Sequence, residues 1–205
     1  MRTLTTVAAA LLLLAGSPVW AGPTDQLREY TDQVIKVLDD PSLAGQDRRA
    51  AVRKIAHEAF DVAETAQRVL ARHWQGRTAA EREEFTQLFA DLLERTYIAR
   101  IDLYGGEKLQ YTSEQIDGDR AVVRAKVLTR KGTEVPIEAR MLKHGDRWLV
   151  YDMTVENISL VSNYRVQFDQ IIRKSSFAEL VNRLKSKRNE FLDEGGGTKT
   201  QKTSS

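Results

Sequence analysis

The sequence contains no cysteine, and this absence removes several kinds of chemistry at once. Disulfide bonds, thiolate catalysis and cysteine-bound metal sites are excluded. A lipoprotein anchor is excluded too, because it requires a cysteine after the apolar leader. Packing alone must hold the core together. A single domain of this length buries enough surface to be stable without cross-links.

A strong charge of one sign is also missing. Lysine and arginine together number 31, and aspartate and glutamate number 29, which gives a formal net charge of +2. The charges are mixed along the chain rather than gathered in blocks. Nucleic-acid binding leaves a basic footprint and is therefore not indicated. The same balance argues against an anionic ligand held by many basic side chains.

Long apolar runs are absent beyond the N-terminus. Residues 7–15 form an apolar run behind Arg2 that is too short to span a bilayer. Val19 and Ala21 place small residues at the −3 and −1 positions of a cleavage site. The pattern predicts a secretory signal peptide, residues 1–21, cleaved after Ala21, and an exported mature chain without a transmembrane helix.

Helical spacing of apolar residues dominates residues 22–104. It predicts three helices, the first begun by Thr24 behind Pro23 and the third capped by Asp61. Their apolar positions are Leu27, Tyr30, Val34 and Leu38; Val52, Ile55 and Ala59; and Val62, Ala66, Val69 and Leu70. Residues 78–81 form a capping box that opens a long fourth helix, which the glycines at 105–106 end. Its apolar stripe is Phe85, Leu88, Phe89, Leu92, Leu93, Tyr97, Ile101 and Tyr104.

Strand-like alternation replaces helical spacing at residues 109–157. Turn signals at 117–118, 131–132 and 144–146 divide this region into four apolar-polar alternating segments. They predict a four-stranded antiparallel meander. On the last strand, simple alternation places Asp152 on the same face as Trp148 and Val150.

Two more helices follow the predicted sheet. Ser159 is the expected N-cap of the first, which carries Val161, Tyr164 and Phe168, and residues 176–179 form a capping box for the second. Residues 193–205 are rich in Gly, Thr, Lys and Ser and predict a disordered tail. The order of helices, sheet and helices predicts one α+β domain at residues 22–192.

The polar residues give little support for catalysis or metal binding. The histidines His57, His73 and His144 lack the spacing of metal ligands, and no Gly-x-Ser-x-Gly elbow is present. Asp152 is the most interesting acid. It is either a general base in a site like that of ketosteroid isomerase or a partner in a structural hydrogen bond. No catalytic or metal-binding residue is predicted.

One face of the predicted sheet carries small side chains. Ala121, Ala125 and Ala139 alternate there with larger aliphatic residues. Small residues on a concave face leave space. Either aromatic residues of the helices fill this space as ordinary core, or it remains as an apolar pocket. The residue pattern alone leaves both possibilities open.

Two long stretches carry a resemblance to a known family. They are FDVAETAQRVLARHWQGRTAAEREEFTQLFADLLERTYIARIDLYGGEKLQY and RWLVYDMTVENISLVSNYRVQFDQIIRK, followed by FAELVNRLKSK. Together they span residues 60–187, and this region resembles the MlaC, or toluene-tolerance auxiliary, family of periplasmic phospholipid-binding proteins. One departure is Asn157, where that family often has glycine; asparagine tolerates similar backbone angles.

The resemblance implies a non-enzymatic lipid carrier with an NTF2-like curved sheet. It implies a helical part at about residues 22–76, a helix plus sheet at 77–157 and C-terminal helices at 159–191. Such a protein carries phospholipid across the periplasm, with no cofactor besides its cargo. Its partners are an outer-membrane lipoprotein–porin complex and an inner-membrane ABC transporter with its substrate-binding domain subunit. Exposing each CH₂ group to water costs about 0.8 kcal/mol, so two acyl chains need an apolar pocket for transit.

With the resemblance in place, specific residues become candidates for the lipid site. The expected acyl-chain contacts are Phe85, Phe89, Leu92, Tyr97, Val123, Ala125, Ile137, Met141, Met153, Tyr164 and Phe168. Asn163 and Arg165 are the candidates for contact with the headgroup or a partner, and the Tyr164 hydroxyl is expected to reach the pocket mouth. The alternative for Arg165 is a structural ion pair with Asp152 or Glu156.

Three other functions remain open on the sequence. The first is an NTF2-like enzyme acting on a small molecule, with an acid or base at the pocket floor. The second is a carrier of another hydrophobic lipid, such as a hopanoid. The third is a periplasmic chaperone or adaptor with a filled core, which would release no lipid on extraction.

Overall fold

A computed structural model describes residues 22–196 of the chain, apart from the side chains of residues 99, 100, 102 and 190–196. The predicted signal peptide at residues 1–21 lies outside the described residues, and so do residues 197–205 of the predicted tail. Within the described range the chain forms six α-helices and a five-stranded sheet. The predicted α+β class is confirmed.

The helices flank the sheet in the order predicted from the sequence. They are α1 (Pro23–Asp39), α2 (Gly45–Ala59), α3 (Val62–Leu70), α4 (Ala79–Tyr97), α5 (Leu160–Lys174) and α6 (Phe177–Gly196). The strands are β1 (Lys108–Asp117), β2 (Arg120–Leu128), β3 (Glu134–His144), β4 (Arg147–Val155) and β5 (Ile158–Ser159). Two 3₁₀ segments, Ala71–His73 and Ile98–Leu103, continue α3 and α4.

The sheet is an antiparallel meander in the order β1-β2-β3-β4-β5. The four predicted strands are present, but the expected count is one too low because β5 adds a two-residue strand. Glu156 and Asn157 connect β4 to β5 with φ angles of 49° and 67°. A two-residue hairpin favours left-handed angles at both positions, and asparagine adopts them at little cost.

A bulge in β4 changes which side chains share a face. Arg140 and Met141 are consecutive in β3, yet they oppose Asp152 and Val150, so Tyr151 is an extra residue. An extra residue reverses the alternation beyond it. The prediction that Asp152 shares the face of Val150 is therefore wrong.

The two faces of the sheet have different neighbours. The inner face carries Val123, Met141 and Val150 and packs against Leu27 of α1. The outer face of β2 and β3 carries exposed charged side chains. Helix α2 packs beside α1 and β4, α3 and α5 contact β4, and α4 packs between α3 and α6.

Side-chain caps fix most helix starts as the sequence predicts. Asp61 accepts from the Glu64 N–H, the Thr78–Glu81 capping box forms, and the hydroxyls of Ser159 and Ser176 accept from the N–H groups of Ser162 and Glu179. These bonds satisfy N–H groups that a helix start otherwise leaves without partners.

Three predicted helix boundaries differ from the structure. Gly22, not Thr24, is the N-cap of α1, because Pro23 already occupies the first helical position. The α-helical part of α4 ends at Tyr97 and gives way to the second 3₁₀ segment before the glycines at 105–106. Helix α6 continues to Gly196, so its backbone includes residues 193–196 of the predicted tail.

Candidate functional site

Hydrogen bonds fix the direction in which α1 crosses the inner face. At its N-terminus, the Thr24 N–H donates to Glu114 Oε2 at 2.7 Å, and Gln26 Oε1 accepts from the Trp148 N–H. Further along the helix, the Tyr111 hydroxyl lies 3.0 Å from Thr31 Oγ1. Helix α1 therefore runs antiparallel to β1. Its C-terminal half continues toward the start of β1 and the end of β2.

The inner face is tightly covered at one end only. At the packed end, which we define by Ala121, Val123, Ala139, Met141 and Val150, side chains are at most 2% exposed. The same strands carry a second apolar group, the open end: Leu109, Val127, Val135, Ile137 and Val155. The open-end residues are all half-buried or exposed, and Val155 reaches 44%. An apolar surface thus continues past the helix packing that covers the rest of the face.

The C-terminal half of α1 is similarly incomplete in its packing. Val34, Ile35 and Leu38 extend along the helix beyond Thr31, in the direction of the open end. All three are half-buried, although aliphatic side chains of this size are usually fully buried in a core. This part of α1 is a second apolar stretch that the fold leaves partly accessible.

Polar groups border this region. The pKa of the Tyr104 phenol is raised, mainly because the phenol is partly buried. The neighbouring carboxylates of Asp39 and Glu107 raise it further. The Gly105 N–H donates to Glu107 Oε2 at 2.8 Å, and this hydrogen bond is the main cause that lowers the pKa of Glu107. Arg130 of the β2–β3 turn lies against Gly105. The rim therefore holds a phenol, carboxylates and a guanidinium beside apolar surface.

Four of the predicted acyl-chain contacts lie in a separate helical core. Phe85, Phe89, Tyr164 and Phe168 are at most 9% exposed and pack against α3 and α6. Their rings stack, tilt or meet edge to face at centroid distances of 5.3–5.9 Å. In this conformation the rings fill the space between the helices themselves. Lipid contact of these four residues stays a prediction.

The other predicted contacts are divided between several places. Val123, Ala125 and Met141 lie on the inner face within or next to the packed end, and Ile137 belongs to the open end. Met153 opposes Ala139 on the same face, because the β4 bulge turns it inward. Leu92 packs against the helical core, and Tyr97 is 50% exposed at the end of α4. The eleven residues do not line one common cavity in this structure.

Asn163 and Arg165 lie on the exposed side of α5. Asn163 Oδ1 accepts from Gln167, and Arg165 Nε donates to the Arg68 carbonyl of α3 at 2.9 Å. The alternative of an ion pair between Arg165 and Asp152 or Glu156 is wrong, because the described residues place no carboxylate within ion-pair distance of Arg165. Its guanidinium borders a depression of about 340 Å³, and the open-end residues do not line that depression.

Asp152 has a structural role in α5. It is 4% exposed, accepts from the Val161 N–H at 3.0 Å and accepts from the Ser159 hydroxyl at 2.7 Å. Both carboxylate oxygens therefore hold the start of α5 against β4. The structural hydrogen bond expected for this residue is confirmed.

Two of the three histidines pair with single carboxylates. His144 Nε2 lies 2.8 Å from Asp61 Oδ2, and His73 Nε2 lies 2.8 Å from Asp169 Oδ1. Within the described residues, no group of three or more histidines and carboxylates is arranged to hold a metal ion. None of the helices at residues 22–196 is long and apolar enough to cross a membrane.

Sequence reasoning missed most of the open end. Alternation identified Val127, Val135 and Ile137 as one apolar face, but it gives no information about which part of that face the helices cover. The useful signal was the helical stripe of α1. Val34 and Leu38 lie on the same helical stripe as Leu27, which packs against the inner face.

Comparisons with known proteins identify a family model, a related sequence and a related fold. The family model described as MlaC protein matches residues 28–186. The chain is similar to the intermembrane phospholipid transport system binding protein MlaC of Haemophilus influenzae. They are 23% identical over 154 residues, which cover 73% of this chain and 70% of that protein. It also resembles the solved structure of a phospholipid-binding protein from Ralstonia solanacearum in complex with a phospholipid. That likeness has a TM-score of 0.72 and 23% identity and covers 82% of this chain and 97% of the other; at this identity it shows a shared fold.

Proposed function

This chain belongs to the MlaC family, and we propose that it is a periplasmic carrier that binds a phospholipid with its acyl chains on the inner face of the sheet. It takes the lipid from one membrane complex and gives it to another, without covalent chemistry. The partners are an outer-membrane lipoprotein–porin complex and an inner-membrane ABC transporter with its substrate-binding domain subunit. The names of the similar proteins from Haemophilus influenzae and Ralstonia solanacearum, which concern phospholipid transport and binding, support this assignment.

The observation that carries the proposal is the open end of the inner face. Five aliphatic side chains on adjacent strands stay partly accessible there, and the direction of α1 carries its half-buried C-terminal half toward them. Two acyl chains hold roughly 30 CH₂ groups, and keeping them out of water is worth on the order of 20 kcal/mol. A continuous aliphatic surface of this kind gives those chains a place to pack, and the polar rim lets a headgroup remain hydrated.

The lipid-bound state requires the layers to separate. The packed end is closed by Leu27 and its neighbours, and the depressions along α1 and beside Arg165 are open to solvent and lined mainly by polar side chains. Helix α1 is the natural moving part, because its C-terminal half has no fully buried side chain. Outward displacement of this half extends the apolar surface from the open end toward Ala125.

An enzymatic function receives less support from the site. The candidate base Asp152 uses both oxygens to hold α5, and it lies beyond the bulge, off the face that carries the open end. A carrier of a hopanoid-type lipid uses the same apolar surface and remains the second candidate. Lipid identification after extraction separates the two cargoes.

Placing a charge at the open end tests the proposal. Val155→Asp puts a carboxylate among the proposed acyl-chain contacts, and we expect about tenfold less co-purified phospholipid per chain, because the charge must be desolvated when lipid binds. The control is Ile116→Asp. Ile116 also lies on the inner face and is 52% exposed, but it pairs with Ala121 at the packed end.

Phosphate analysis of extracted lipid provides the measurement for both variants. The control is expected to retain the lipid content of the wild-type protein. Equal lipid content in Val155→Asp and the wild type would place the lipid elsewhere in the fold. Equal loss in both variants would show a general effect of charge on folding rather than a site at the open end.

A further inference from the structure

The outer face of the sheet is exposed across three strands. Helix α1 packs against β1 and β2 from the inner side, while α3 and α5 meet the sheet at β4. On the outer face, the side chains of Arg124, Lys126 and Arg140 are 45%, 44% and 46% exposed. A broad surface made of β1–β3 therefore faces solvent, and it takes no part in the lipid site proposed above.

This surface is basic, whereas the solvent side of α1 is acidic. Within the described residues, the outer face of β1–β3 and the β2–β3 turn carry six cations and three carboxylates besides Arg130, which belongs to the rim of the lipid site. The cations are Lys108, Arg120, Arg124, Lys126, Lys131 and Arg140, and the carboxylates are Asp117, Glu134 and Glu138. The exposed side of α1 has the opposite balance, with Asp25, Glu29, Asp32 and Asp39 against Arg28 and Lys36. The net charge of the chain is nearly neutral, but positive side chains predominate on one side of the sheet and negative side chains on the other.

A shared carboxylate orients the two central arginines of the outer face. Arg124 Nε donates to Glu138 Oε2, and Arg140 Nε donates to Glu138 Oε1, each at 3.0 Å. The hydrogen bond to Glu138 also raises the pKa of Arg140 above its ordinary value. Each guanidinium engages Glu138 through Nε, so its terminal nitrogens remain available as a planar fork. Such forks match the oxygen geometry of a phosphate group.

The composition of this surface suits a lipid headgroup layer better than a protein partner. Protein interfaces draw their binding energy from a central cluster of buried aromatic and apolar side chains. The outer face of β1–β3 carries no aromatic residue among those described. Of its four apolar residues, Val122, Leu128 and Leu142 are half-buried and Pro136 is exposed, and charged residues lie on the neighbouring strands. Dispersed long cations on a rigid sheet can instead contact many phosphates at once.

We propose that the outer face of β1–β3, centred on Arg124 and Arg140, docks the protein on the surface of an anionic phospholipid bilayer. In the docked protein, the inner face and its open end lie on the side of the sheet that faces away from the bilayer. Membrane attachment and lipid binding are therefore separate properties of the two faces. Attachment by this face is electrostatic, so it weakens as salt screens the charges.

Vesicle flotation with the full-length mature protein tests the docking surface. The vesicles contain phosphatidylglycerol and phosphatidylcholine in equal parts, with pure phosphatidylcholine vesicles as the uncharged comparison. We expect the wild-type protein to float with the anionic vesicles at low salt and to be released at high salt. The Arg124→Gln/Arg140→Gln variant should bind at least about tenfold more weakly, since each surface cation contributes roughly a fivefold gain in partitioning.

A matched variant controls for net charge. Arg173→Gln/Arg183→Gln also removes two exposed arginines that pair with carboxylates, but these lie on α5 and α6. It should float as the wild type does, and all three proteins should carry the same amount of extracted lipid. Unchanged lipid content separates a docking defect from a failure of the lipid site.

Three outcomes would overturn the docking surface. If the wild-type protein does not float with anionic vesicles, it does not attach to an anionic bilayer. Equal weakening in the two double variants would mean that only net charge matters. Flotation that is unaffected by the Arg124→Gln/Arg140→Gln change would place the attachment on another face, and the basic face would then fit an acidic protein partner.

Discussion

At the residue scale, Asp169 of α5 holds the turn that follows α3. Its Oδ1 accepts from Arg72 Nη2 at 2.5 Å and from His73 Nε2 at 2.8 Å, and Arg173 lies 4.0 Å from Oδ2. The hydrogen bond with His73, followed by that with Arg72, holds the pKa of Asp169 below its ordinary value of 3.8. One carboxylate therefore ties the first 3₁₀ segment to α5.

The sign of this pKa shift predicts acid sensitivity. A carboxyl with a lowered folded-state pKa stabilises the fold above its unfolded-state value, and that stability is lost as the pH falls below it. We expect Asp169→Asn to lower the free energy of unfolding at neutral pH. We also expect this free energy to fall less than in the wild type between about pH 5 and pH 3. Urea unfolding across this pH range measures both.

Asp91→Asn is the matched control for Asp169. Asp91 also lies on a helix and forms an ion pair with Arg188, in which the charged atoms are 3.9 Å apart. Coinciding curves for Asp91→Asn and Asp169→Asn would mean that removal of any helical carboxylate has this effect. Parallel curves for Asp169→Asn and the wild type would mean that the contacts of Asp169 contribute no pH-dependent stability.

At the scale of elements, the junction between α3 and the first 3₁₀ segment stores backbone strain. Ala71 has φ 47° and ψ −118°, a combination that residues with a Cβ rarely adopt. Such strain costs about 1–3 kcal/mol, and glycine relieves it while adding about 0.5–1 kcal/mol of unfolded-state entropy. We therefore expect Ala71→Gly to raise the free energy of unfolding by about 1 kcal/mol, as measured by chemical denaturation.

Ala50→Gly provides the opposite case. Ala50 is exposed in the middle of α2 with an ordinary helical backbone. Glycine there should lower the free energy of unfolding by about 1 kcal/mol. A loss of stability in both variants would show that the Ala71 conformation carries no strain that glycine relieves.

The elements also show how far sequence reasoning reaches. Local chemistry predicted the caps at Asp61, Thr78 and Ser159, because each cap depends on residues three or four positions away. The bulge at Tyr151 was not predictable, since its position depends on pairing with β3. The prediction of the sheet face that carries Asp152 was wrong for that reason. Burial at the open end depends on where α1 ends above the sheet, which is a tertiary property.

At the scale of the whole molecule, the sheet separates two surfaces. Its inner face carries the aliphatic open end beyond the tightly packed part of the face, and its outer face carries the arginine pair around Glu138. The aromatic core of α3–α6 is a third unit, joined to the sheet through β4. A rigid helical core beside a partly covered sheet gives a carrier one stable side and one side that can open.

Native mass spectrometry of the protein purified from the periplasm tests the central claim most directly. The proposed carrier should show one bound phospholipid per chain, released by organic extraction and identified from its fragments. A protein free of lipid, with a mass that stays unchanged after incubation with phospholipid vesicles, would contradict the claim. The open end would then be ordinary surface, and an enzyme or adaptor function would become the better explanation.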